Sequence, residues 1–343
     1  MTRAAHAPIG LLLAAAALAC DGPSGTIYLT SGIGDSVLVL DAADGSRRAA
    51  LSVDRRRGET DEPHGVAVSP DGRHLYVTLA HGEPSLWKFE RPGDRRVGRL
   101  DLGGAGAARI AVSADGRTGF IADYERGSGG RPGEVVSVDL GTLEVRARSR
   151  PCAGPHDARP APDGAVVAVA CSLSDEVVFL DGATLEVTAR YAAGPDPGPA
   201  GSPRYRPLNL AWLDARTAAL TLAGSGELVR VGREDGVRHR VGVGASPAQV
   251  AFEPASGRLV VANRGDGTAS LVDAGSWTEA ARVPLDVAHP HGVALDPARG
   301  RAFVSFEGTT GERGGVVALD VRTGHILWSV TAGTYTLGVA FGS

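Results

Sequence analysis

One segment recurs along this chain and limits what it can fold into: an apolar stretch led by Pro or Ala, a turn of the P-D-G type, then a second apolar stretch. It reads PHGVAVSPDGRHLYVT from Pro63, AARIAVSADGRTGFIA from Ala107 and PHDARPAPDGAVVAVA from Pro155. It returns as PLNLAWLDARTAALTL from Pro207, PAQVAFEPASGRLVVA from Pro247 and PHGVALDPARGRAFVS from Pro290. The starts lie 44, 48, 52, 40 and 43 residues apart. A period of about 40–50 residues with several short strands marks a propeller blade, a unit that buries its apolar faces only against neighbours. After each pair comes a third strand ending in an acid, as in EVVSVD (134–139), EVVFLD (176–181) and VVALD (316–320), and a fourth follows a short turn. Four antiparallel strands per repeat, parted by Gly, Asp and Pro turns, are therefore predicted. The 48 glycines suit many tight turns better than long helices.

The two ends complete the count. Residues 26–51 read as strands two, three and four of a blade that has no first strand, and residues 336–341 (TLGVAF) read as a first strand with nothing after it. Joined, they make one more blade. The expectation is an all-β, seven-bladed β-propeller of four-stranded antiparallel blades over residues 26–343, its ring closed by pairing the C-terminal strand with the N-terminal blade. Such closure protects the edges that an open sheet would expose.

PHGVAVSPDGRHLYVT and the later LVVANRGDGTASLVD (259–273) resemble the YVTN-type propeller repeats of bacterial and archaeal surface proteins, which are related in pattern to NHL- and lactonase-type propellers. The resemblance covers the chain from about Thr26 to its end and implies the fold, which by itself does not fix a function. In such repeats P-H-G is a common spelling of the turn, and the resemblance implies for its histidine the alternative role of a hydrogen bond across to the next blade.

The N-terminus points to export. Arg3 precedes an uncharged apolar run, 9–19, which is too short for a bilayer that needs about 20 residues. Residues 1–19 therefore read as a signal peptide. A-A-L-A-C resembles a bacterial lipobox, although Ala17 stands where Leu is common and Leu18 comes next. That resemblance implies acylation of Cys20, a tether over 20–25, and a lipid-anchored place in the bacterial cell envelope. In an oxidising compartment Cys152 and Cys171 can form a disulfide, with two buried thiols as the alternative. The net charge of −4 removes the basic field that nucleic-acid binding needs. The expected protein is a monomer that meets the membrane through its anchor alone.

The loops divide unequally. Turns between strands one and two, and between three and four, are short; loops into strand one and out of strand two carry insertions at 54–62, 125–133, 194–206 and 307–315. Insertions gathered on one face of a repeat protein mark a binding face. Aligned repeats place His64, Ala108, His156, Leu208, Ala248, His291 and Leu337 at the position that opens strand one. His64, His156 and His291 thus fall in blades two, four and seven, close to trigonal around the ring. Three imidazoles are a candidate ligand set for zinc or copper, with an open coordination position. Arg109, Asp123, Asn209, Gln249, Asn263, Arg264 and Glu307 are expected around the same mouth as ligand-binding residues.

Motifs for covalent haem, nucleotide phosphates, a serine nucleophile elbow and HExxH zinc are missing. Three functions stay open. The first is a binding module for a protein or small ligand at the channel mouth. The second is a metal carrier or a propeller enzyme of lactonase, lyase or oxidoreductase type, with Glu307 or Asp123 as acid or base. The third is a purely structural envelope protein.

Overall fold

The computed structural model describes residues 25–54, 58–103, 106–124, 130–310 and 312–343; the segment 1–19 expected to be a signal peptide, and Cys20, lie outside them. The described chain forms seven four-stranded antiparallel sheets arranged as the blades of a propeller. The inner strands are Val339–Gly342 in blade one, then Pro63–Val68, Ala107–Val112, Pro155–Pro160, Pro207–Trp212, Pro247–Glu253 and Pro290–Asp296 in blades two to seven. Six of them start where the sequence repeats start. Blade one joins both ends of the chain: Val339–Gly342 pairs with Thr26–Ser31, which pairs with Ser36–Asp41 and then Arg47–Ser52. Its C-terminal strand begins three residues later than the apolar pattern suggests. A 3-10 turn at Pro297–Arg299 joins the first two strands of blade seven.

The second strands are apolar on both faces because both faces are covered. Leu75, Val77 and Leu79 pack with Tyr28 and Val37 of blade one, while Tyr76 of the same strand packs with Ile121 and Val136 of blade three. Seven such clusters lie between neighbouring blades and close the circle, the last joining Phe303 of blade seven to Leu29 and Val339 of blade one. Hydroxyls add a polar seam. Thr221 Oγ1 accepts from Asn209 N at 3.1 Å and donates to Ala248 O of the next blade at 3.1 Å. Ser305 repeats this between Gly292 N (2.8 Å) and Leu337 O (2.6 Å). The Cys152 and Cys171 sulfurs are bonded within the cluster between blades three and four.

Candidate functional site

The upper face, where the long loops lie, is shaped by two backbone devices repeated around the ring. The first is a bulge. In blades two to seven the leading residue of the inner strand pairs normally and the register then slips, as between Pro63 and Gly65, Ala107 and Arg109, and Pro155 and Asp157. The slip in blade seven lies between Pro290 and Val293. A bulge re-aims a side chain out of the ladder. His64, His156 and His291 are among the residues skipped by this register.

The second device is a left-handed residue just before each inner strand segment: Glu62 (φ 48°), Gly106 (82°), Gly154 (61°), Arg206 (54°), Ser246 (49°), His289 (56°) and Tyr335 (53°). For an L-residue this conformation costs about 1–2 kcal/mol, which glycine escapes. Blades three and four use glycine; the other five keep a side chain. The carbonyl of this residue accepts the N–H that follows strand two, as in Ala80 N to Glu62 O (3.0 Å), Glu307 N to His289 O (3.1 Å) and Gly32 N to Tyr335 O (3.0 Å). Acids from neighbouring turns brace the same segments. Asp35 accepts from the N–H groups of Asp61 and Glu62, and Asp175 accepts from those of Gly198, Arg204, Tyr205 and Arg206. The 194–206 insertion is thus pinned down.

Over the channel, the His64 and His291 rings lie 6.1 Å apart between centroids. Tyr124, which follows strand two of blade three, stands 5.9 Å from His64 and 5.8 Å from His156. His156 Nδ1–H donates to Leu208 O of the next blade at 2.9 Å, which leaves Nε2 with its lone pair. That is the cross-blade role expected of such repeats. The other two differ: both nitrogens of His64, and Nδ1 of His291, are buried without a hydrogen-bond partner. Burial, then the neighbouring His64 and Arg109, pushes His156 down to about 4 and holds His291 well below its ordinary value, so both rings are neutral near pH 7. Glu62 reaches His81 Nε2 at 3.1 Å and lies 3.7 Å from His64 Nδ1. With Tyr124 between His64 and His156, no three His, Cys, Asp or Glu side chains among the described residues are grouped to hold a metal ion.

The other expected site residues separate into three groups. Arg264 and Glu307 meet at the mouth in a bidentate pair of 2.7 and 2.8 Å, which raises the arginine further. They line an upper-face cavity of about 620 Å³ with His289, Tyr335, Thr309 and Ile33. Burial, then Glu307 and Glu62, raises the Tyr335 hydroxyl. Asn209 and Gln249 face inward but serve as clasps: their side-chain oxygens accept the N–H groups of Val250 (2.8 Å) and Val293 (3.1 Å) in the next blade. Asp123 and Asn263 lie elsewhere. Asp123 pairs in register with Glu134 and lines a small gap within blade three and beside Pro84 and Leu102. Asn263 is fully buried and donates to Thr268 and Ser270 within its own blade. Both occupy the last position of a second strand, whose side chains turn between blades instead of toward the channel. Lys88, in the third strand of blade two, donates to Leu140 O of blade three at 2.6 Å.

Arg109 stands beneath the histidines. Burial lowers its guanidinium to about 10, partly opposed by Asp157, whose Oδ1 lies 3.8 Å from Nε. Asp157 is the hub that the sequence reading missed. It accepts from Asn209 Nδ2 (2.6 Å) and Leu210 N (3.1 Å) and pairs with Arg159 at 3.2 Å. Its signal was present, since P-H-D at 155–157 replaces the P-H-G found twice elsewhere. Tyr124, Glu62 and Tyr335 carried no repeat-level signal.

No protein-family model matches the chain, and no curated protein matches it in sequence. Its fold is similar to that of a protein of unknown function from Desulfotomaculum acetoxidans DSM 771 (TM-score 0.73, 13% identity, 93% of this chain and 99% of that one). It is also similar to a protein from Bacteroides fragilis NCTC 9343 assigned provisionally as a 6-phosphogluconolactonase (TM-score 0.69, 14% identity, 93% and 98%). A third is dihydro-heme d1 dehydrogenase NirN in complex with DHE (TM-score 0.60, 15% identity, 93% and 75%). At these identities the likeness concerns the β-propeller fold alone.

Proposed function

We propose that this protein is a cell-envelope lipoprotein whose YVTN-type propeller binds a small ligand or a partner protein through its upper mouth. One observation carries the reading: the cavity of about 620 Å³ is walled by His289 and Tyr335, two side chains kept at left-handed positions where blades three and four use glycine. Strained positions that keep their side chains are candidates for function, and the volume lies within the range of about 300–1,000 Å³ common for ligand pockets. The chain's ends support the orientation. Thr26 pairs with Gly342 on the lower face, the face of the short turns. Cys20 precedes Thr26 by six residues, a reach of at most about 20 Å, so an acyl anchor there would turn the upper mouth away from the membrane.

Glu307 is a poor general base in this arrangement because Arg264 holds both of its oxygens. A zinc or copper ion at the histidines is the second reading. Neutral His156 and His291 favour it, Arg109 beside them opposes it, and Tyr124 would have to swing aside.

The test is a thermal-shift screen of small ligands on the mature chain and on Tyr335→Ala and Arg264→Ala, with elemental analysis after zinc or copper loading. The binding reading expects a ligand that stabilises wild type and loses its effect in both variants. Ligand shifts that survive in both variants refute it, and stoichiometric metal that is lost in His64→Ala favours the second reading.

A further inference from the structure

The channel beneath the histidines is a separate cavity of about 540 Å³, reached past Pro70, Ala114 and Pro162 at the turns of the lower face. Its walls are apolar side chains left half-exposed: Val66, Val68, Val112, Phe252, Val293 and Leu295. Apolar surface of this kind gains by being covered. At its head the charges do not balance. Arg109 and Arg159 both line the cavity, and among the described residues Asp157 is the one carboxylate paired with them. That carboxylate is already shared with Asn209 Nδ2 and Leu210 N. Glu62 and Glu307, nearer the upper mouth, pair with His81 and Arg264. Arg109 is left with a 3.8 Å ion pair at Nε and with Nη1 buried and unpartnered. A desolvated cation short of a counter-ion is a strong and selective attractor for an anion.

We propose that the channel binds an amphipathic carboxylate from the lower face, its carboxylate on Arg109 and its apolar body along the inner strands. The guanidinium supplies the charge-assisted hydrogen bonds and the half-exposed valines, Phe252 and Leu295 supply the apolar contact. This site lies on the opposite side of the histidine ring from the mouth discussed above and does not depend on it.

Calorimetric titration of the mature chain with octanoate and with 1-octanol tests the assignment. One octanoate binds per chain, about tenfold or more tighter than octanol, the margin of a hydrogen bond to a charged group. Arg109→Gln brings octanoate down to the affinity of octanol. Val68→Trp keeps Arg109 but narrows the lower opening, and it abolishes binding of both. Tyr335→Ala, at the upper mouth, leaves octanoate affinity unchanged. The proposal is overturned by an absence of saturable octanoate binding, by equal affinity for octanol, or by wild-type affinity in Val68→Trp. It is equally overturned by loss of octanoate in Tyr335→Ala, which would put the ligand at the upper mouth.

Discussion

Replacing Asp157 by alanine should be among the most destabilising single changes in this protein. The substitution leaves Arg159 and Arg109 without their shared carboxylate and removes the acceptor of Asn209 Nδ2 and of Leu210 N, a link between blades four and five. Removing one member of a buried ion pair costs about 3–5 kcal/mol, most of it the cost of the charge left behind. Over about 320 folded residues at about 2.1 cal/mol/K each, the unfolding entropy is about 0.7 kcal/mol/K, so the melting temperature should fall by about 5–7 °C. Burial works to raise the Asp157 carboxyl, but Arg159, Arg109 and the Leu210 N–H outweigh it and hold it below its ordinary value. Its folded value is therefore lower than its unfolded value of about 3.9. The stability it contributes is complete above that value and is lost as pH falls through the folded one. Calorimetry of wild type and Asp157→Ala across pH 2.5–7 (about 2.5 to 7, set by the same titration) should show a constant gap above pH 4–5 (about one unit above the unfolded value) that narrows below it. A gap under about 1 kcal/mol, or one that widens in acid, would refute the assignment of a charged, paired carboxylate.

Two further outcomes follow from the architecture. Opening the Cys152–Cys171 bond, whose partners are 19 residues apart, should cost about 3 kcal/mol by loop entropy; melting curves with and without reductant, and of Cys152→Ala/Cys171→Ala, measure it, and unchanged curves would count against it. Deleting residues 337–343 strips the inner strand from blade one and exposes Thr26–Ser31 as an edge, so cooperative melting should be lost. Placing 333–343 ahead of Thr26 through a turn as short as Ser69–Arg73 should restore it, because Gly342 and Thr26 are already paired.

Most of the fold was legible because each repeat writes its own boundaries. Pro63, Ala107, Pro155, Pro207, Pro247 and Pro290 open both the sequence repeats and the inner strands, and a second strand such as VVAVAC can be apolar throughout only where both faces are covered. The site was legible in part. The position of His64, His156 and His291 follows from the repeat, but their partners depend on what other blades deliver. Tyr124 comes from a loop that follows no repeat rule. Asp123 and Asn263 were misjudged because a second strand alternates between the two interblade faces, so a polar residue at its end need not reach the mouth. Asn209 and Gln249 were placed at the right level, yet their oxygens are used by the backbone of the next blade.

The composite blade also sets how the molecule answers traction. Thr26–Ser31 is hydrogen-bonded on both sides, to Val339–Gly342 and to Ser36–Asp41. Antiparallel rungs lie perpendicular to the strands, so a pull on Gly25 along the strand strains the rungs on both flanks together instead of unzipping them singly. The join where the chain's two ends meet is therefore loaded in shear, and a force applied through the N-terminal segment meets the ring at a place built to bear it.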